Sequence, residues 1–324
     1  MGKECSKADC TFATSGLCLE ELGDACHNLL PGEAYVLDAD IPEEVCFHTG
    51  EKLTPEEASR LLNAIPAQVI LCAGTQDAGK TTFLARLGEL FRTGVVLNYR
   101  FAKSLTLIGF ERATWHATIA SAGAKPDTRR TSRSENDLFL HLQVQATAAP
   151  RTSSNLLISD LSGESYGDAA ASKAFCIEQQ ALGRADTICL FLDSAALAHR
   201  QNRFAEHDNA VQFLIRVLEV VSSERMPSVR IVFSRWDKIA DSDESARHIQ
   251  YCEEIESGLT AQFGNRFRAF SFHRIAARPS NGKPTDDELM KVFEHWLAPR
   301  NVISEPKTIR YQHPARDFSA FGQP

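Results

Sequence analysis

The chain has 324 residues, 43% of them hydrophobic and 24% charged, enough for one large α/β core or two smaller ones, and this excludes disorder throughout. Its net charge of −7 is unevenly placed: residues 1–66 carry thirteen Asp/Glu against four Lys/Arg, which leaves the remainder at +2. An acidic N-terminal face repels phosphate, so nucleic acid and anionic lipid are poor partners and a protein surface is the expected one.

No run approaches the ~18–20 apolar residues of a membrane span, and the start lacks an apolar signal core, so no membrane and a cytoplasmic location are expected. The opening Met1-Gly2-Lys3-Glu4-Cys5-Ser6 fits the short N-myristoylation pattern, for which chance is the better explanation.

In chain order, Cys5, Cys10, Cys18 and Cys26 come first, with His27 alongside. Clustered thiols in a reducing compartment suggest zinc before disulfides, and four thiolates would give shape to a segment with few large apolar residues. Their spacing lacks the paired CxxC of common zinc ribbons, so ordinary free thiols remain open. The other five cysteines, Cys46, Cys72, Cys176, Cys189 and Cys252, are scattered, several of them in apolar runs where Cys acts as a small hydrophobe.

Thr54-Pro55-Glu56-Glu57 reads as a helix start, with Thr54 as N-cap, Pro55 in the first turn and Glu57 closing a capping box. From Gln68 onward strands alternate with helices. Apolar runs at 68–73, 156–159, 187–192 and 229–233 predict buried strands, and 137–145 predicts a half-exposed one. Helical periodicity marks 80–91, 205–221, 245–262 and 285–297, and 93–136 reads as one long loop.

The fold expected is α/β: a mostly parallel sheet with helices on both faces, preceded by a small Cys-rich segment. The expected divisions are an acidic segment at 1–65, the α/β domain at 66–300 and a polar tail at 301–324, for which disorder is the expectation.

The strand at 68–73 runs into Gly74-Thr75-Gln76-Asp77-Ala78-Gly79-Lys80-Thr81, a complete GxxxxGK[ST], followed by Thr82 and an amphipathic helix. Glycines let backbone N–H groups curl around phosphates, Lys80 neutralises the terminal phosphates and the Thr81 hydroxyl ligates Mg²⁺, with the helix dipole adding to the hold.

A second buried strand ends in Asp160-Leu161-Ser162-Gly163, a D-x-x-G in which the aspartate serves Mg²⁺ and the glycine N–H senses the γ-phosphate. Glu164 follows. Third comes Ser234-Arg235-Trp236-Asp237, where Asp237 would accept guanine's N1–H and amine while Arg235 lies against the base; an aspartate capping the next helix is the alternative. After a strand-like run at 268–272, Ala276-Ala277-Arg278 fits a loop closing over the base.

Within 93–136, Thr131, with Thr128 second, is the candidate to ligate Mg²⁺ and the γ-phosphate when GTP binds. Arg129 and Arg130 are candidates for positive charge on the transition state, or form a solvated basic loop.

These motifs in this order resemble the translation-factor-related class of Ras-like P-loop GTPases, and within it the bacterial double-GTPase family. The resemblance rests on residues 74–84, Gly109-Phe110-Glu111, Pro126-Asp127-Thr128, Arg130-Thr131-Ser132, residues 159–164 and Trp236-Asp237. It implies a GTP/GDP site with Mg²⁺ and a switch acting on a second GTPase or an effector protein in a bacterial antiviral defence setting.

Glu164 stands where small Ras-like GTPases place a water-orienting Gln, so hydrolysis is expected to be slow, on the order of ~10⁻⁴ s⁻¹ without a partner. A nucleotide-binding scaffold with little turnover is the alternative function. An ATPase or kinase is the third reading, and it requires Asp237 to be a simple cap.

Overall fold

The apolar runs pair into one seven-stranded sheet in a computed structural model that describes residues 48–118, 121, 137–280 and 284–298. Apart from His48, every described residue belongs to the second of two compact units, Thr49–Pro324. The strands are β1 (Ala67–Gly74), β2 (Tyr99–Lys103), β3 (Phe139–Ala146), β4 (Ser153–Asp160), β5 (Thr187–Asp193), β6 (Ser228–Ser234) and β7 (Ala269–Ile275). They lie in the order β2-β3-β4-β1-β5-β6-β7. Neighbours from β4 to β7 are parallel, while β2 and β3 close one edge antiparallel.

Strands β5 and β6 are buried along their whole length, which is why they read as unbroken apolar runs rather than alternations. Parallel neighbours need crossovers, and helices supply them. On one face pack α2 (Lys80–Thr93), α3 (Leu107–Thr114) and α11 (Asp286–Leu297), meeting Ile70, Cys72, Ile158 and Phe191 of the sheet. Phe83 sits edge-on to Phe191 at 5.5 Å and beside Trp296 at 5.7 Å.

The other face carries α1 (Pro55–Ala64), α4 (Gly163–Ala171), α5 (Lys173–Glu178), α6 (Gln180–Arg184), α7 (Ser194–Ala198), α8 (Arg203–Val220), α9 (Asp237–Ala240) and α10 (Ser245–Phe263). The capping box at the start of α1 forms as expected: Thr54 and Glu57 each accept the other's backbone N–H. Ala58 of α1 and the preceding Leu53 are buried in the core of this face. Cys72, Cys176, Cys189 and Cys252 are free and buried, Cys72 and Cys189 of them within apolar strands.

The expectation of one long loop at 93–136 is corrected in its first part, which holds β2 and α3. β2 is an edge strand with four of its five residues exposed, so it shows no alternation of polar and apolar residues. α3 has eight residues and no side-chain cap, too short to establish a period. Among the described residues no helix is long and apolar enough to cross a membrane.

Candidate functional site

Gly74, Asp160, Asp193, Ser234 and Ile275 end five successive parallel strands on one edge of the sheet, the edge where open α/β sheets bind ligands. The phosphate-loop sequence leaves β1 there. Gly74 has φ 149°, and a β-carbon on it would sit 2.5 Å from the Phe191 carbonyl oxygen, so only glycine lets the loop turn against β5.

Lys80 is buried, with its ammonium donating to the carbonyls of Gly74 (3.0 Å) and Thr75 (3.1 Å), so it lies folded beneath the loop. Gln76 and Asp77 are exposed at the loop's crest, Ala78 is buried, and Thr82 continues into α2 as part of its first turn.

At the start of α2 the Thr81 hydroxyl donates to Asp160 Oδ2 at 3.0 Å. The other carboxylate oxygen, Oδ1, is buried and makes no hydrogen bond. A hydroxyl and a carboxylate side by side, with one buried lone-pair site unused, form an oxygen donor set that suits Mg²⁺, the hard cation expected from sequence.

Beside this pair opens a cavity of about 270 Å³, lined by Lys52, Leu84, Gly109, Arg112, Thr81 and Asp160 among others. Gly109-Phe110-Glu111 here has a packing role. A β-carbon at Gly109 would meet the Lys52 nitrogen at 2.7 Å, Phe110 covers Gly88, and Glu111 pairs with Arg92 of α2. The trio therefore fixes α3 as one wall of the cavity.

Gly163 and Glu164 lie in the first turn of α4, because Ser162 caps that helix by accepting the Ser165 N–H. A β-carbon on Gly163 would lie 2.3 Å from the Gln76 nitrogen, so this segment touches the phosphate loop backbone to backbone. Glu164 is exposed on the first turn.

At the other end of the site, Ser234 donates to the Leu192 carbonyl at 3.1 Å and lies against Gly79. Arg235 has φ 53°, uncommon for a side-chain-bearing residue. From that conformation its Nη1 reaches both the Asp77 carbonyl (3.3 Å) and Asp193 Oδ2 (3.1 Å). The arginine thus ties the phosphate loop to the loop after β6.

Asp237 begins α9, whose N-cap is Trp236, and no side-chain cap bond forms there. Its carboxylate instead accepts the Ser280 N–H at 3.2 Å, with Lys238 at 3.5 Å. The Ala276 amide donates to Thr285 Oγ1 at 2.7 Å, and Arg278 Nη1 donates to the His116 carbonyl at 3.4 Å, with Ala277 half-buried between them. Asp237 and the 276–280 loop therefore share one end of the site.

Two acidic residues at the site escape a motif search. Asp193 ends β5, and burial pushes its carboxyl up while Arg235 pulls it down. Glu206, on α8, is 5% exposed and stands beneath the loop: Thr75 donates its hydroxyl at 3.0–3.1 Å and the Asp193 amide donates at 2.8 Å. Burial pushes Glu206 up to about 7, against these hydrogen bonds and the nearby Lys80. Tyr166 of α4, raised chiefly by its own burial, also feels the Glu206 charge. The signal for Glu206 was present in the sequence, since it shares the buried stripe of α8 with Ala210, Phe213, Leu214 and Val217.

Thr128, Arg129, Arg130 and Thr131 lie outside the described residues, as do Cys5, Cys10, Cys18, Cys26 and the tail beyond 298. Among the described residues no group of three His, Cys, Asp or Glu side chains gathers in the manner of a metal cluster.

The chain is similar to several solved structures at low identity. One is the S. cerevisiae Ski7 GTPase-like domain bound to GTP: 14% identity, 75% of this chain, 53% of that one, TM-score 0.37. Another is the signal recognition particle receptor SRb-GTP/SRX complex from Chaetomium thermophilum: 14% identity, 72% of this chain, 97% of that one, TM-score 0.37. A third is Sup35 complexed with GDP: 13% identity, 70% of this chain, 42% of that one, TM-score 0.28. The chain thus spans about half the length of the Ski7 chain it matches. No curated protein matches it. The family described as Double-GTPase 2 matches residues 68–297, from the central strand to the end of the last helix, and the chain belongs to that family.

Proposed function

We propose that the protein binds GTP and GDP with Mg²⁺, hydrolyses GTP slowly, and acts through the difference between the two states on a partner protein, either a second GTPase or an effector. The observation that carries this reading is the Thr81–Asp160 pair, a hydroxyl and carboxylate with one buried oxygen unused, at the mouth of a GxxxxGKT loop. Family membership supports the guanine nucleotide.

In this reading backbone amides of residues 76–82 and the Lys80 ammonium hold the phosphates, while Thr81 and Asp160, joined by Thr131, hold the ion. Bound there, Mg²⁺ would neutralise charge on the β- and γ-phosphates. Gly163 offers its amide to the γ-phosphate, and water attacks in line. Asp237 accepts the guanine N1–H and amine, the 276–278 loop covers the base, and Arg235 holds the loop between them. Arg129 and Arg130 are proposed to bring charge to the transition state. Action on a partner within a bacterial defence setting rests on the family resemblance alone.

The exposed position of Glu164 on α4 favours a second reading, a nucleotide-dependent scaffold with little turnover. Equilibrium binding of fluorescent GDP and GTP, with unlabelled GTP and ATP as competitors in Mg²⁺ and then in EDTA, tests nucleotide choice; equal competition by ATP overturns it. Multiple-turnover phosphate release separates the readings: a rate abolished by Lys80→Ala supports the enzyme, and tight binding without release supports the scaffold.

A further inference from the structure

Thr75 is the x of a GxxxxGK[ST] pattern, a position at which the motif asks for nothing, yet its side chain is engaged from below. Its hydroxyl points at Glu206, 3.1 Å from Oε1 and 3.0 Å from Oε2, and Oε1 also accepts the amide of Asp193 at 2.8 Å. Burying a carboxylate on a helix stripe otherwise built from Ala, Phe, Leu and Val carries a desolvation cost that an apolar side chain would avoid.

A carboxylate does what no apolar residue can, because it accepts strong hydrogen bonds from two donors at once. Those donors sit on different elements, the phosphate loop and the end of β5. The same Thr75 supplies through its carbonyl one of the two acceptors of the Lys80 ammonium, so fixing Thr75 also fixes the lysine.

We propose that Glu206 is a positioning residue for phosphate binding: by pinning the Thr75 hydroxyl to the end of β5, it holds the loop and Lys80 in the shape that receives a diphosphate. It touches no ligand itself. The inference deepens the nucleotide reading above and rests on the loop's being a phosphate site.

The test measures Kd for GDP, GTP and pyrophosphate in the full-length protein and its Glu206→Ala, Glu206→Gln, Thr75→Val and Thr75→Ser variants, with circular dichroism to confirm folding. Glu206→Ala strands two donors, and a loss of about tenfold is expected for all three ligands alike, since each is held by the same loop. Glu206→Gln keeps an acceptor for the Asp193 amide and offers an NH₂ to the Thr75 oxygen, and Thr75→Ser keeps the hydroxyl; both are expected to bind within about twofold of wild type.

In the Thr75→Val background, Glu206→Ala is expected to cost less affinity than it does alone, because the bond to Thr75 is already gone and only that from the Asp193 amide remains to be broken. Wild-type affinity in a folded Glu206→Ala protein overturns the proposal. So does a Glu206→Gln variant as weak as Glu206→Ala, or full additivity of the two losses. Pyrophosphate keeps the two conclusions separable: if it binds and responds to these variants while GTP shows no advantage over ATP, the guanine reading fails and the role of Glu206 stands.

Discussion

Gly163 lies so close to Gln76 that a β-carbon on the glycine would be 2.3 Å from the Gln76 nitrogen and 2.6 Å from its α-carbon. Contact at that distance is with backbone, which cannot swing aside as a side-chain tip can. Gly163→Ala is therefore expected to push α4 and the phosphate loop apart, lowering stability by about 1–3 kcal/mol and weakening nucleotide binding. Thermal unfolding and GDP affinity measured together check this; an alanine variant with unchanged Tm and Kd would show that the two segments are not in contact.

Asp160→Asn separates ion from phosphate. The substitution keeps the shape of the side chain but removes the charge whose Oδ2 accepts the Thr81 hydroxyl and whose Oδ1 is unused. Affinity for GDP in EDTA is expected to stay close to wild type, while the tightening produced by adding Mg²⁺ shrinks by about tenfold or more. Titrating Mg²⁺ at fixed nucleotide reads this directly, and an undiminished Mg²⁺ effect would remove Asp160 from the ion's surroundings.

Lys80→Ala removes a buried ammonium whose two present acceptors are loop carbonyls. A loss of about 2–3 kcal/mol in GTP binding is expected, on the scale of a charge-assisted hydrogen bond, or about thirty- to 150-fold in Kd. The loss should be larger for GTP than for GMP, which lacks the terminal phosphates; equal losses for both would place the lysine elsewhere.

Asp237→Asn tests the base end. The carboxylate can accept two hydrogen bonds, whereas the amide presents one acceptor and one donor, so preference for GTP over ATP is expected to fall by about tenfold to a hundredfold. Competition binding measures the ratio. An unchanged ratio would leave the carboxylate with a structural role only, through the Ser280 amide and Lys238.

Facing α11 from β7, His273 is 6% exposed, and burial, reinforced by His295 and opposed by Glu288, lowers its pKa from 6.5 to about 4. Between those values the unfolded chain binds a proton that the folded protein refuses. Stability from this site is therefore complete above about pH 6.5 and declines as pH falls toward 4. His295, lowered mainly by burial, pulls in the same direction. The Tm of His273→Asn should drop less than that of wild type between pH 7 and pH 5, and parallel curves would count against a neutral, buried histidine.

The strands were legible because parallel strands covered on both faces must be apolar throughout, and the phosphate loop because its glycines and lysine are required by geometry at fixed spacing. Glu57 and Thr54 announced their helix for the same local reason. β2 and α3 were not legible, since an exposed edge strand has no buried face to alternate and eight residues hold barely two turns.

The contacts that organise the site were hidden for another reason. Gly163 against Gln76, Arg235 to Asp77 and Asp193, and Glu206 under Thr75 join residues 42 to 158 positions apart, and only the fold brings them together. Glu206 came nearest to being visible, as the lone acid on an apolar helical stripe.

The short stretch before α1 is fastened on both sides, first by its main chain. Leu53 exchanges two hydrogen bonds with Phe139 at the start of β3, and the Gly50 carbonyl accepts the amide of Gly109 in α3. Side chains add to these bonds: Leu53 is buried in the core, Glu51 pairs with Arg112 of α3 at 2.8 Å, and Ile108 of α3 packs against Gly50. Residues 49–53 thus fasten the start of β3 to α3, one wall of the cavity beside Thr81 and Asp160, and set the spacing between the two as a spacer bar would.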